Sequence, residues 1–284
     1  MEVEGVGGVV LRGDAYGPED GPPVILLHGG GQTRHSWRTT ARALGADGWQ
    51  AWTVDLRGHG DSDWSEAGEY GIEDFADDAR ALVGRFATPP AVVGASLGGI
   101  SFLAASGEEP RADVSAMVFV DVAPQVEPAG VERIGNFMGA NMENGFASLD
   151  EAADAIAAYN PHRPRPTDLE GLRKNLRQRE DGRWMWHWDP RFRAGRHGSP
   201  DETRVSLVNP ERLETAARAL TAPVLLVRGK VSDLLSEEGA RQFLALVPHA
   251  EFVDVEGAGH MVAGDRNDAF NAAIVAFLDR YRRG

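Results

Sequence analysis

Gly94-Ala95-Ser96-Leu97-Gly98 sets a serine between two glycines, directly after the apolar run Ala91-Val92-Val93 and ahead of a helical stretch. A Gly-x-Ser-x-Gly segment between strand and helix suits a sharp turn that exposes the central hydroxyl. The flanking glycines remove side chains that would collide with the neighbouring strand and helix. Ser96 then stands at a helix N-terminus, whose free N–H groups favour developing negative charge. The same five residues also occur as a plain turn, so their weight rests on what accompanies them.

A hydroxyl becomes a useful nucleophile only when an imidazole takes its proton. Of the eight histidines, His260 in Val255-Glu256-Gly257-Ala258-Gly259-His260 follows the last apolar run through a glycine-rich loop, which lets it reach toward Ser96. His28 and His59 are read as braces of their own turns, and His162, His187 and His197 lie in a later, compositionally distinct stretch. The imidazole needs a carboxylate to fix its tautomer, and an acid between serine and histidine in the chain is sought. Asp233 is chosen, because it follows the run Val224–Val227 and precedes His260 by 27 residues. Asp121, at the end of Met117-Val118-Phe119-Val120, is the alternative, and Glu237 and Glu238 are read as first-turn helix acids. His28-Gly29-Gly30-Gly31-Gln32 offers backbone amides to a substrate oxygen. Gly30 and Leu97 are taken as the two oxyanion donors, with Gly31 as the other loop candidate. A dinucleotide loop is set aside because the third glycine is missing and no Gly-Lys-Ser/Thr follows.

These residues need a frame that brings distant loops together. Strands are expected at Pro23–His28, Gln50–Asp55, Ala91–Gly94, Ala116–Asp121, Pro223–Arg228 and Glu251–Val255. Helical patterns occupy Ile72–Arg85, Ser236–Val247 and Asp268–Tyr281. That alternation predicts an α/β fold with a doubly wound, mostly parallel sheet. From about Pro124 to Leu220 the strand rhythm stops and Arg, Pro and Trp increase, with helices expected at Leu149–Tyr159 and Leu169–Arg179. The expected organisation is a first core part at 1–124, a helical cap insertion at 125–220 and a second core part at 221–284.

The chain has 284 residues, 42% hydrophobic and 25% charged, which fits one large packed domain with an insertion rather than a disordered or fibrous chain. Its net charge of −14 disfavours nucleic acid and anionic membrane partners. Met1-Glu2-Val3-Glu4 lacks the basic and apolar regions of a leader, and no apolar run is long enough for a membrane span, so a cytoplasmic location is expected. The absence of cysteine removes thiol nucleophiles, disulfides and cysteine-ligated metals.

Taken together, His28-Gly29-Gly30-Gly31, Asp55-Leu56-Arg57-Gly58-His59-Gly60-Asp61-Ser62, Gly94-Ala95-Ser96-Leu97-Gly98-Gly99, Ser232-Asp233 and Gly257-x-Gly259-His260 resemble the α/β-hydrolase superfamily across almost the whole chain. The resemblance implies an eight-stranded, mostly parallel sheet, a Ser–His–Asp triad, a two-amide oxyanion hole and no cofactor. Asp55–Ser62 looks like a loop of epoxide hydrolase and esterase relatives, where its polar residues brace the site. Epoxide hydrolases carry an aspartate at the elbow and usually two cap tyrosines. This chain has Ser96 there, and Tyr159 is the sole tyrosine of the insertion. Alkylation of Ser96 would leave an ether that water does not readily cleave, so acyl chemistry is favoured.

The expected activity is a serine esterase or lactonase acting on a small molecule. Amide, thioester, carbon–carbon and peracid chemistry use the same parts, and a noncatalytic binding protein of this fold is the different-class alternative. Trp184-Met185-Trp186-His187-Trp188 is read equally as pocket wall or as cap core. Trp184, Trp186, Phe137 and Met138 are the candidate substrate contacts from the cap, joined by Met142. Gly31, Trp37 and Trp64 are those from the core loops. A monomer and a homodimer are both compatible with the sequence.

Overall fold

The computed structural model describes residues 1–159, 165, 167–194, 209–260 and 267–282. Its strands are β1 (Glu2–Glu4), β2 (Val10–Tyr16), β3 (Pro23–Leu27), β4 (Gln50–Val54), β5 (Ala91–Ala95), β6 (Ala116–Val120), β7 (Leu176–Gln178), β8 (Trp184–Trp186), β9 (Val224–Gly229) and β10 (Glu251–Val255). The helices are α1 (Arg38–Ala46), α2 (Ile72–Val83), α3 (Leu97–Gly107), α4 (Pro128–Gly139), α5 (Leu149–Tyr159), α6 (Arg191–Ala194), α7 (Pro210–Arg218), α8 (Glu237–Leu246) and α9 (Asn271–Leu278).

Eight strands form one sheet in the order β1-β2-β4-β3-β5-β6-β9-β10. Only the β1/β2 and β2/β4 pairs are antiparallel. The six strands expected from apolar runs are present to within a residue at each end. β1 and β2 were not anticipated, because the first is three residues long and the second carries Arg12, Gly13 and Asp14 in its middle. Residues alternate between two buried layers, as the period of two demands. Ile25 and Leu27 join the layer containing α2, α3 and the insertion, whereas Val24 and Leu26 join Trp37, Phe270, Ile274 and Phe277 on the other side. A strand covered on both faces reads as a near-continuous apolar run, as β3, β5 and β6 do while buried at every residue; β9 is buried throughout as well, with Arg228 near its end paired to Asp254. Among the described residues, no helix is long and apolar enough to cross a membrane.

β3 lies between β4 and β5, so the chain leaves it in one direction and later returns on its other side. Such a reversal opens a crevice beyond the carboxyl ends of the two central strands. The Gly29–Gly31 loop follows β3 and Ser96 follows β5, so the topology alone brings the glycine loop and the serine to one place.

Between β6 and β9 the chain forms α4, α5, the antiparallel hairpin β7/β8 and α6, followed by α7. The hairpin corrects the expected helix at Leu169–Arg179, of which a single 3-10 segment, Glu170–Lys174, is helical. α7 packs on α3 and α8 of the sheet layers, so the last helix of the span read as cap belongs with the core packing. An isolated bridge between His59 and Trp188, with Asp189 N–H donating to Gly58 O at 2.7 Å, pins the insertion to the core.

Helix α3 starts immediately beneath β3. A Cβ on Gly98 would lie 2.5 Å from the Leu27 carbonyl oxygen and 2.7 Å from its Cβ. Gly98→Ala is therefore expected to destabilise the protein by about 1–3 kcal/mol through overpacking against backbone, read as a lower urea midpoint. A wild-type midpoint would contradict this close approach.

Candidate active site

Ser96 has φ 46° and ψ −114°, a left-handed conformation for a non-glycine residue, at the junction of β5 and α3. Strain of this kind costs on the order of 1–3 kcal/mol and persists only where the surroundings impose it. They do so here through Gly94, whose missing Cβ would stand 2.5 Å from Gly98 and Gly99 backbone atoms. The Ser96 side chain makes no capping bond to α3, so its hydroxyl is not spent on the helix.

Asp121 directly follows β6, the strand beside β5, and it too has positive φ, 52°. Ser96 N–H donates to Val120 O at 3.2 Å, which joins the two strand ends one residue from the aspartate. The Asp121 carboxylate is buried and accepts the His260 Nδ1–H at 2.8 Å on Oδ2. Oδ2 also accepts the Ser232 hydroxyl at 2.7 Å, and Oδ1 accepts Gly229 N–H at 3.1 Å. With its proton held on Nδ1, His260 keeps Nε2 as the basic nitrogen.

The expected partnership of His260 with Asp233 is corrected by this arrangement. Asp233 turns to the insertion, where Arg133 Nη1 donates to its Oδ2 at 2.6 Å. Arg133 also covers the Tyr159 ring at 4.5 Å and donates to the Tyr159 carbonyl. The physical reason is the path of the loop after β9. Ser232 faces the carboxyl end of β6, while Asp233 passes beneath α4, where a Cβ on Gly130 would meet the Asp233 carbonyl oxygen at 2.2 Å.

In the glycine loop, Gly29 N–H donates to Gln32 Oε1 at 3.0 Å and Gly31 N–H to His59 Nε2 at 3.0 Å. Among the described residues, no acceptor engages the Gly30 or Leu97 amide. Gly31, with φ 79°, is thus committed to His59 and is removed as the alternative donor. Gly98 N–H donates to His28 O at 3.1 Å, and a Cβ on Gly29 would lie 3.4 Å from Ser96 Cβ, so loop and elbow touch.

Two buried imidazoles hold that loop. His28 donates from Nδ1 to Gly29 O at 2.8 Å and accepts Leu56 N–H on Nε2 at 3.0 Å. His59 donates from Nδ1 to Arg57 O at 3.0 Å while accepting from Gly31. Burial pushes His28 down to about 4 and His59 down to about 3, so both are neutral acceptors near pH 7. Arg57 in turn is fully buried and pairs with Asp78 at 2.6 and 2.7 Å. Asp55 accepts the backbone N–H of Arg34 at 2.6 Å and of Asp61 at 3.0 Å.

The expected substrate contacts separate on inspection. Met138 on α4 faces Gly31, its Cε 3.1 Å from the position a Cβ would take. Phe137 stands 5.6 Å from Trp186, which meets Phe146 edge-on at 5.2 Å, so these rings pack one another within the insertion. Trp184 carries the Arg173 guanidinium on its face at 4.6 Å and pairs its backbone with Phe146, so it packs within the segment between β6 and β9. Trp37 is corrected: it is fully buried, donates Nε1–H to Leu27 O at 2.9 Å and packs in the layer with Ala41 and Leu44. Trp64 is exposed. His162 and His197 lie outside the described residues. Phe192 on α6 was missed. Its Cζ is 3.4 Å from where a Gly30 Cβ would be, and its ring contacts His59 at 5.0 Å. No motif marks it; the sole signal is its place at the end of the aromatic stretch 184–192.

The alpha/beta hydrolase family matches residues 24–273. The chain belongs to that family. It is 32% identical over 265 residues to esterase Rv0045c of Mycobacterium tuberculosis, covering 91% of this chain and 83% of the relative. It is 28% identical to 3-hydroxybutyrate-oligomer hydrolase of Cupriavidus necator, over 86% of this chain and 85% of that one. A crystal structure of an alpha/beta hydrolase from Novosphingobium aromaticivorans superposes with a TM-score of 0.80 at 26% identity, covering 99% and 97% of the two chains.

The glycine loop of this chain rests on two buried histidines held neutral, with a consequence for stability. The unfolded chain protonates His28 and His59 near pH 6.5, whereas the native state resists until about 4 and about 3. The unfolded state therefore binds more protons in that window, and stability falls as pH drops from 6.5 toward 4. The urea midpoint is expected to fall between pH 7 and pH 5, with a shallower dependence in His59→Gln, whose amide oxygen can still accept from Gly31. An unchanged pH dependence in that variant would contradict the assignment.

Proposed function

We propose that the protein is a serine hydrolase that cleaves carboxylic esters or lactones through an acyl-enzyme on Ser96. The observation that carries this reading is the buried Asp121–His260 hydrogen bond of 2.8 Å beside the strained Ser96 elbow. It is supported by the family membership and by two relatives whose names specify an esterase and an oligomer hydrolase.

In the proposed cycle, His260 Nε2 takes the Ser96 proton while Oγ bonds to the substrate carbonyl carbon. The carbonyl electron pair moves to oxygen, and the Gly30 and Leu97 amides donate to that oxyanion at the N-terminus of α3. Asp121 stabilises the imidazolium. The imidazolium then gives its proton to the leaving alkoxide oxygen as the carbon–oxygen bond breaks. Water, deprotonated by the same nitrogen, attacks the acyl carbon; as the bond to Oγ breaks, the imidazolium returns its proton to Oγ, releasing the carboxylic acid and free Ser96. Phe192 and Met138 border the glycine loop, so the group next to the carbonyl is expected to be apolar. A lone protonated serine would be far less reactive, which is why the three groups stand or fall together.

A fluorophosphonate is expected to label the protein stoichiometrically on Ser96, and Ser96→Ala to abolish both labelling and turnover of short chromogenic esters. A folded protein that takes up no label and turns over no ester or lactone would favour a noncatalytic binding role. Asp121→Asn is expected to lower kcat by on the order of 10³–10⁴-fold, because the amide imposes the wrong imidazole tautomer. Asp233→Asn should leave kcat close to wild type, since Asp233 pairs with Arg133 and not with His260, and loss of that partly exposed ion pair should cost at most roughly 1 kcal/mol of stability. The opposite ranking would restore Asp233 as the acid.

A further inference from the structure

We infer that Ser232 is a positioning residue for the proposed triad, acting through Asp121 and linking the loop after β9 to the loop that carries His260. The inference rests on the serine-hydrolase reading above and adds to it a residue that acts through Asp121.

Ser232 is partly exposed, yet both its hydroxyl hydrogen and its oxygen are engaged. Its O–H donates to Asp121 Oδ2 at 2.7 Å, the same oxygen that receives His260 Nδ1–H. Its Oγ accepts the N–H groups of Leu234 at 3.1 Å and Leu235 at 3.3 Å. A hydroxyl has one hydrogen, and two amides directed at its oxygen leave that hydrogen no acceptor but the carboxylate. They also polarise it, which strengthens the bond it gives. The carboxylate thus has three donors, Gly229 N–H, Ser232 O–H and His260 Nδ1–H, arranged around a side chain with almost no access to water.

The turn that carries Ser232 is also bound to the histidine loop. Val231 N–H donates to Ala258 O at 3.0 Å, Lys230 N–H to Val255 O at 3.0 Å, and Ser232 N–H closes the turn on Gly229 O at 2.9 Å. A Cβ on Gly229 would meet Ala258 O at 2.5 Å, so the two loops are in backbone contact. Arg228, next in line, is spent on Asp254 at 2.7 Å and leaves the carboxylate to its hydrogen-bond donors. One short turn therefore grips the acid with a hydroxyl and an amide, and grips the base through the segment two residues before His260.

Two consequences separate positioning from simple packing. Removing the Ser232 proton leaves more of the Oδ2 charge to His260, which favours the imidazolium and moves the acid limb of kcat/KM to higher pH. The looser carboxylate orients the ring less well, so kcat falls while KM holds. Because the effect runs through Asp121, it should vanish once Asp121 is Asn.

The test is a double-mutant cycle on the full-length protein with a chromogenic ester, recording kcat, KM and the pH profile. Ser232→Ala is expected to lower kcat about tenfold, the loss typical of one hydrogen bond to a charged group, with KM unchanged and the acid limb shifted upward. Ser232→Thr should restore both, and Ser232→Ala should cost nothing further in Asp121→Asn. If Ser232→Ala does not fold, Ser232→Cys, a weaker donor of similar size, should show the same shift to a smaller extent. Wild-type kcat and pH profile in the alanine variant, or losses fully additive with Asp121→Asn, would overturn the inference while Ser96→Ala remained inactive. Turnover persisting in Ser96→Ala would instead sink the hydrolase reading itself.

Discussion

A carboxylate as deeply buried as that of Asp121 stays charged only where hydrogen-bond donors replace its hydration, and much of this structure is organised to supply them. The carboxylate stands at the carboxyl end of β6, and β9 delivers Gly229 and Ser232 to it from the neighbouring strand. β10 delivers His260 from the strand beyond. Order within the sheet thus becomes order within the site. Positive φ at both Ser96 and Asp121 shows where that convergence is imposed on the backbone, since neither residue would choose it locally.

The glycine loop is built on a different principle. Here the chain relies on neutral imidazoles as shape-holding struts, each bridging one backbone donor and one backbone acceptor. Burial suits this use, because it suppresses the protonation that would turn the accepting nitrogen into a donor. The result is a loop in which Gly29 and Gly31 are committed and Gly30 is left facing Phe192. Arg57 and Asp78 beneath it form a buried pair whose role is to hold the second loop that carries His59.

Legibility in the sequence followed how local each determinant is. The elbow could be read because its glycines answer a steric demand within five residues, and His260 because its loop follows a well-marked strand. The acid is assigned to Asp233 from the sequence, whereas His260 pairs with Asp121; both aspartates follow strands, and their difference lies in which way a loop turns after β9. β7 falls in the stretch Leu169–Arg179 expected to be helical. What makes it a strand is pairing with Trp184–Trp186 across a turn containing Asp181-Gly182, with Gly182 at φ 82°. That dipeptide was a hairpin signal in the sequence. Trp37 and Phe192 exchanged roles for a similar reason: type and loop position say nothing about which face of the sheet a ring will occupy.

The pairing of Asp121 with His260 can be observed without any substrate. A proton shared between a buried carboxylate and Nδ1 is shielded from exchange and resonates far downfield in the proton spectrum of protein labelled with 15N-histidine. One such resonance from His260 is expected to disappear in Asp121→Asn and to persist in Asp233→Asn. Its loss in Asp233→Asn with retention in Asp121→Asn would contradict the geometry on which the whole account depends.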